Sequence, residues 1–173
     1  MTNLRLERCT VEDADALRDL SIVTYYETFA HKNTSENMDA YLRTAYDIRQ
    51  LRSELADPNS EFYFLFADDR LAGYMKLNET PSQSDINDPD SLEVQRIYVC
   101  GEFQGMGLGR YLLTTALQTA VDRHKRYVWL GAWENNEKAL RFYNKMGFRP
   151  VGTHPFYMGD DRQTDYIMRK DLI

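Results

Sequence analysis

From Asn3 to Arg8, apolar and polar residues alternate with the two-residue period of a short strand. The acidic group Glu12, Asp13 and Asp15 then opens an amphipathic helix, with Ala16, Leu17, Leu20, Val23 and Phe29 at helical spacing. Thr34-Ser35 and Asp47 read as N-caps of two further helices, over 36–45 and 48–56, the second ending before Asp57-Pro58. The period then shortens. Residues 62–67 are aromatic and apolar, Asp68-Asp69-Arg70 makes a turn, and 71–77 is extended again, which predicts a hairpin. A polar loop with three aspartates fills 80–91, and Leu92 to Val99 is a strand with strict alternation in its first half. Leu112, Leu113, Ala116, Leu117, Ala120 and Val121 recur at three- and four-residue steps and mark the clearest helix. Tyr127 to Ala132 reads as a buried strand, 136–146 as a helix stopped by Gly147, and 148–158 with 164–170 as a closing pair of strands. A mixed α/β sheet with helices on its faces accommodates this order.

The 173 residues suit one well-filled domain spanning 1–173, without repeat, low-complexity tract or linker. Hydrophobic residues make up 43% and charged residues 28%, as in an ordinary soluble protein. No apolar run is long enough to span a bilayer, and the first residues lack the apolar region of a secretory signal. A cytoplasmic location is expected, with Cys9 and Cys100 as thiols. The net charge of -6 argues against a nucleic-acid backbone as partner and is compatible with a cationic small substrate. The three histidines lack metal-ligand spacing with one another or with the cysteines, so no metal is expected.

Between the strand at 92–99 and the helix after it lies Gln104-Gly105-Met106-Gly107-Leu108-Gly109. A phosphate needs several donors directed at one spot, and N–H groups at the start of a helix supply them. Glycine at 105, 107 and 109 keeps side chains out of the way and permits left-handed turns, while Arg110 adds charge at the rim. A dinucleotide fold would set its glycines tight against the strand and place an acidic residue at the end of the next one. Here Cys100 to Phe103 intervenes and Tyr127 to Ala132 has no acidic end. The plain alternative is a glycine-rich turn capping a helix.

From Gln104 onward the chain resembles the GNAT (Gcn5-related) N-acetyltransferase family. Gln104-x-x-Gly107-x-Gly109 is similar to its pyrophosphate signature, and Asn136-x-x-Ala139-x-x-Phe142-Tyr143-x-Lys145-x-Gly147-Phe148 is a second match in the right order. Residues 129–136, 156–160 and 25–29 further resemble the bacterial PaiA subgroup of spermine and spermidine N-acetyltransferases. The resemblance implies a mostly antiparallel sheet splayed at the fourth strand, with helices on both faces. It also implies acetyl-CoA as cosubstrate, its pantetheine arm paired with the backbone of Ile97, Tyr98 and Val99.

Acetyl transfer to an amine needs a neutral amine, a donor for the developing oxyanion and an acid for the departing thiolate. Tyr143, on the face of its helix shared with Ala139, Leu140 and Met146, is expected to be the acid, since the family places a tyrosine near the sulfur. The N–H of Val99, left unpaired by a family-type bulge, is the expected oxyanion donor. Glu93 is the candidate base, acting directly or through water, with a surface carboxylate on an edge face as its alternative. Asn136 is expected to meet the pantetheine or the pyrophosphate, and Lys145 the nucleotide's phosphate; an N-cap and a solvated lysine are the alternatives. Cys100 has no histidine brought near by any motif, which leaves direct attack by the amine. A polycationic acceptor would use carboxylates from among Glu27, Glu36, Asp39, Asp85, Asp88 and Glu134, with Tyr25, Tyr26, Phe156 and Tyr157 beside its methylenes. A peptide acceptor and a non-catalytic acyl-CoA-binding module remain as other readings, and a homodimer is compatible with the closing strands.

Overall fold

The computed structural model describes residues 1–172. Seven strands form one sheet: β1 (Leu4–Arg8), β2 (Ser60–Ala67), β3 (Arg70–Asn78), β4 (Ser91–Val99), β5 (Tyr127–Trp133), β6 (Arg149–Met158) and β7 (Asp161–Asp171). Their spatial order is β1-β2-β3-β4-β5-β7-β6, and every neighbouring pair is antiparallel except β4 with β5. Five helices cover it: α1 (Ala14–Phe29), α2 (Ser35–Ala45), α3 (Ile48–Ala56), α4 (Leu108–Asp122) and α5 (Glu137–Lys145).

Alternation along the strands divides two cores. Leu65, Ala67, Ala72 and Met75 face α4 and α5, meeting Leu112, Leu113, Ala116 and Tyr143. Phe62, Phe64 and Tyr74 face the opposite side, where Leu17, Tyr25, Met38 and Leu51 of α1, α2 and α3 cover them. The caps sit where expected: Thr34 accepts from the N–H of Asn37, and Asp47 from those of Arg49 and Gln50.

Helix α1 departs from its sequence pattern. Ala16 is exposed and Val23 is 52% exposed, whereas Ser21 and Thr24 are buried. Thr24 Oγ1 donates to the carbonyl of Leu20 at 2.8 Å, so its hydroxyl is satisfied within the helix and can face the core.

Two irregularities in β4 create the site. Lys76 faces Arg96 while Leu77 faces Val94, so Gln95 is an extra residue, a bulge that resets the alternation. Leu92 and Val94 face the α4 core before it, and Ile97 and Val99 face the same core after it. The second irregularity is the join to β5. Only Ser91, Leu92 and Glu93 pair with β5, opposite Tyr127, Val128 and Trp129. Beyond them each strand keeps its other partner, β4 with β3 and β5 with β7. The sheet therefore opens between β4 and β5.

Candidate active site

A cleft of about 160 Å³ occupies the opening. One wall is Ile97 and Val99, another Ala132, and α5 contributes Ala139 and Tyr143 with its N-cap Asn136. Cys100 donates its N–H to the carbonyl of Ala72 at 2.8 Å. In an antiparallel ladder such bonds recur at every second residue, so Tyr98 also bonds toward β3, and the main-chain groups of Ile97 and Val99 turn the other way, into the cleft. The unpaired N–H of Val99 thus comes from ordinary alternation; the bulge lies upstream, at Gln95. Gln104 Nε2 donates to the carbonyl of Val99 at 3.3 Å.

The glycine loop forms a ledge at one end of the cleft. Gly105 and Gly107 have φ of 80° and 77°, left-handed values that favour glycine, and a Cβ on either would meet nothing within 4 Å. Gly107 caps α4, whose first hydrogen bond runs from the N–H of Tyr111 to the carbonyl of Gly107. The N–H groups of Leu108, Gly109 and Arg110 consequently lack helical partners and carry the positive end of the helix dipole. Leu108 buries its side chain in the core, Met106 is 49% exposed, and Arg110 is exposed without an ion pair among the described residues. The loop offers an open row of donors of the kind an esterified diphosphate requires.

Tyr143 reaches the cleft from α5. Its ring packs against Phe142 and Phe148, with centroids 5.4 and 6.1 Å away, and burial alone pushes its hydroxyl up to about 12. The group holds its proton at any ordinary pH and can donate it in a hydrogen bond to charge that builds on a nearby sulfur.

A second cavity, of about 470 Å³, adjoins the first, and the two share Phe29, Gln95, Tyr98 and Trp133 as lining. Its walls combine aromatic rings with charged and polar groups: Tyr25, Tyr41, Tyr46 and Phe156, together with Asp85, Glu93, Arg96, His154 and Asp165. Tyr25 stacks on Tyr41 at 4.5 Å. Arg96 lies 5.0 Å from the Tyr46 ring and 3.7 Å from Glu54, which it shares with the buried Lys76. Arg96 thus sits between an aromatic wall of the chamber and the buried carboxylate of Glu54 behind it.

A model of the acetyltransferase (GNAT) family matches residues 15–148. An uncharacterised N-acetyltransferase of Lactobacillus delbrueckii subsp. lactis is 37% identical over the full length of both chains. The chain belongs to the acetyltransferase (GNAT) family. The acetyltransferase is also 23% identical to the spermidine N(1)-acetyltransferase of Thermoplasma acidophilum, over 97% of each chain. The crystal structure of the PaiA N-acetyltransferase of Thermoplasma acidophilum in complex with coenzyme A superposes on it with a TM-score of 0.80 at 22% identity, covering 98% and 99% of the two chains.

Ile97, Val99, Gln104, Asn136 and Tyr143 line the cleft, as does the Tyr98 side chain, though the main chain of Tyr98 faces β3. The alternative readings of Asn136 and Lys145 describe their contacts here: Asn136 Oδ1 accepts from the N–H of Ala139 as an N-cap, and Lys145 is exposed and unpaired among the described residues. Lys138, the second residue of α5 and not expected from sequence, instead reaches the ledge, where its Nζ donates to Gln104 Oε1 at 3.2 Å.

Glu93 is no surface carboxylate. It is 1% exposed and lines the large chamber, accepting from Asn78 Nδ2 and the N–H of Ser84 at 2.8 Å each and from the Ser84 hydroxyl. With Gln83, which bonds Ser91 and Trp129 Nε1, it fastens the loop at 79–90 over the chamber. Of the six carboxylates considered for a cationic acceptor, only Asp85 lines the chamber; Glu27 instead accepts from the N–H of Gly101, and Asp88 from the Tyr127 hydroxyl. Tyr25 and Phe156 line it, while Tyr26 and Tyr157 are exposed at 55% and 57%. Asp165 and His154 emerge only with the register of β6 against β7. The Cys100 thiol is held above its usual range by burial and by Glu27 and Glu102, which disfavours it as a nucleophile.

Proposed function

We propose that this acetyltransferase moves the acetyl group of acetyl-CoA to a primary amine of a polycationic acceptor, a polyamine such as spermidine or spermine, by direct attack. The observation that carries the reading is the meeting of two cavities at one shared wall. A narrow cleft into which main-chain groups of Ile97 and Val99 turn, with a phosphate ledge at its end, opens into a wider chamber of aromatic rings and carboxylates. The cosubstrate supplies an acetyl group activated as a thioester. The ledge N–H groups and Arg110 hold its diphosphate, and Ile97 and Val99 bind the pantetheine amides as an added strand would.

The amine nitrogen forms a bond to the acetyl carbon as the carbon–sulfur bond breaks. The Val99 N–H receives the charge that builds on the acetyl oxygen, and Tyr143 gives its proton to the leaving sulfur. The amine's own proton passes through chamber water to Glu93. A Glu93→Gln variant is expected to lose at least tenfold in kcat/KM, because Gln presents an amide to the Ser84 N–H and hydroxyl and takes up no proton; a pH–rate profile of unchanged height and shape contradicts this role.

The reading is supported by the distant likeness to a spermidine N(1)-acetyltransferase and by the aromatic and acidic chamber, which suits alkylammonium groups. We place the reaction in the cytoplasm, where the free thiols of Cys9 and Cys100 persist. No helix among the described residues is long and apolar enough to cross a membrane. The test is thiol release from acetyl-CoA in the presence of spermidine, spermine, a lysine-bearing peptide and an aminoglycoside. Turnover with spermidine and spermine is expected. Turnover of the peptide alone overturns the polyamine reading, and acetyl-CoA binding without any turnover overturns the reaction itself.

A further inference from the structure

The register of the closing strands sets His154 of β6 directly opposite Asp165 of β7. The imidazole Nε2 lies 3.4 Å from Asp165 Oδ2, and Nδ1 lies 3.1 Å from Asp85 Oδ2 on the loop fastened by Glu93. The bridge packs over Gly131 of β5, where a Cβ would stand 3.4 Å from both Asp165 Oδ2 and His154 Nε2. Carboxylates accept hydrogen bonds and do not donate, so only the imidazolium satisfies both acids; the neutral ring serves one. All three residues line the large chamber.

The other charged groups of that lining, Glu93 and Arg96, do not touch the bridge. Glu93 on β4 is bonded to Asn78 and Ser84, and Arg96 on β4 lies beside Tyr46 and Glu54. The phenols of Tyr25 on α1, Tyr41 on α2 and Tyr98 on β4 are pushed above their usual range by burial and stay neutral. Asp85 and Asp165 are therefore bridged directly by a titratable cation of the protein's own. An independent sign of a missing ligand is Trp133, 8% exposed on the wall shared by both cavities, whose buried Nε1–H has no protein partner.

We infer that Asp85 and Asp165 form the subsite for the acceptor's second ammonium group, and that His154 determines specificity by occupying it until a di- or polyamine displaces its charge. The inference rests on the chamber being the acceptor site. In the exchange the ammonium takes over both carboxylates, the imidazolium releases one proton to solvent, and the net charge of the site is unchanged. A monoamine leaves the clamp closed.

The bond to Asp165 holds the imidazole above its ordinary range; burial opposes this, and Asp85 adds to the rise. The folded state thus keeps the His154 proton longer than the unfolded chain does. The bridge's contribution to stability is complete below about pH 6.5 and is lost as pH rises through the raised folded value. The clamp opens for substrate over that same upper range.

Calorimetric titration of spermidine and of n-butylamine into the whole protein, in buffers of different ionisation heat near pH 6.5, tests the exchange. Spermidine is expected to release about one proton more from the wild type than from a His154→Gln variant. Wild-type affinity is expected to rise by up to about tenfold per pH unit more steeply than that of the variant, and n-butylamine is expected to show neither effect. Asp165→Asn provides a second variant, expected to weaken spermidine at least tenfold while leaving n-butylamine unchanged. Equal proton release from wild type and His154→Gln, an equal loss of both amines in Asp165→Asn, or no spermidine binding overturns the clamp. Proton-linked spermidine binding without acetyl transfer supports the clamp and contradicts the proposed reaction; acetylation of spermidine without the extra proton does the reverse.

Discussion

A Gly107→Val variant is expected to bind acetyl-CoA at least 100-fold more weakly than the wild type while keeping its circular dichroism spectrum. Gly107 holds φ at 77° as the cap of α4, a conformation in which a β-branched residue is strained by about 1–2 kcal/mol. No heavy atom lies within 4 Å of the added Cβ, so the substitution breaks no packing and the fold survives. That empty space is where the diphosphate has to approach the N–H groups of Leu108, Gly109 and Arg110. A hydrogen bond to a charged group contributes about 1.5–3 kcal/mol, so two lost contacts amount to about 3–6 kcal/mol, or 100-fold and more in Kd. Met106→Ala, at an exposed position of the same loop, serves as control and is expected to bind normally. Equal affinity for Gly107→Val and the wild type means that the ledge does not hold the cosubstrate.

Tyr143→Phe is expected to lower kcat by about 100-fold or more and to leave the KM for acetyl-CoA within about twofold, because general-acid help belongs to bond breaking and not to binding. The ring keeps its contacts with Phe142 and Phe148 in the variant. The hydroxyl makes no hydrogen bond to the protein among the described residues, so thermal stability should change by no more than about 0.5 kcal/mol. A retained melting temperature with a collapsed kcat separates the acid from a tyrosine that merely fills the core. Because burial pushes the hydroxyl up to about 12, wild-type activity should show no alkaline loss from this group until well above the range of an ordinary phenol. Unchanged kcat in the variant removes Tyr143 from the reaction.

The parts of the site that were legible in the sequence are those built from neighbours in the chain. Strand β4, the glycine loop and α4 follow one another directly, and glycines at 105 and 107 announce the left-handed turns that the structure contains. Tyr143 was legible because it shares a helical face with Ala139 and belongs to a recognisable run of residues. The chamber was not. Its lining comes from α1, α2, the loop after β3, β4, β5, β6 and β7, and the partners of His154 are 69 and 11 residues away. No period links such positions; only the pairing of β6 with β7 and the fastening of a polar loop by buried Gln83 and Glu93 bring them together.

Two misreadings have physical causes of the same kind. Ala16 and Val23, placed on the apolar face of the first helix by spacing, lie exposed while Thr24 is buried, because intrahelical bonding of the Thr24 hydroxyl removes the cost of turning it inward. The bulge leaves a trace in the sequence, since alternation fails at Gln95-Arg96, but that break also fits an exposed strand edge. Its location follows only from the register of β3 against β4. That register also explains why Val99, expected to be freed by a bulge of its own, is free without one.

The most direct test of the central claim is a crystal structure of the protein soaked with coenzyme A. The diphosphate is expected on the main-chain N–H groups between Gly107 and Arg110, with the pantetheine arm lying between β4 and β5 alongside Ile97 and Val99 and its sulfur beside the Tyr143 hydroxyl. A coenzyme A molecule bound elsewhere, with the ledge empty and the gap between the two strands closed, would contradict the account.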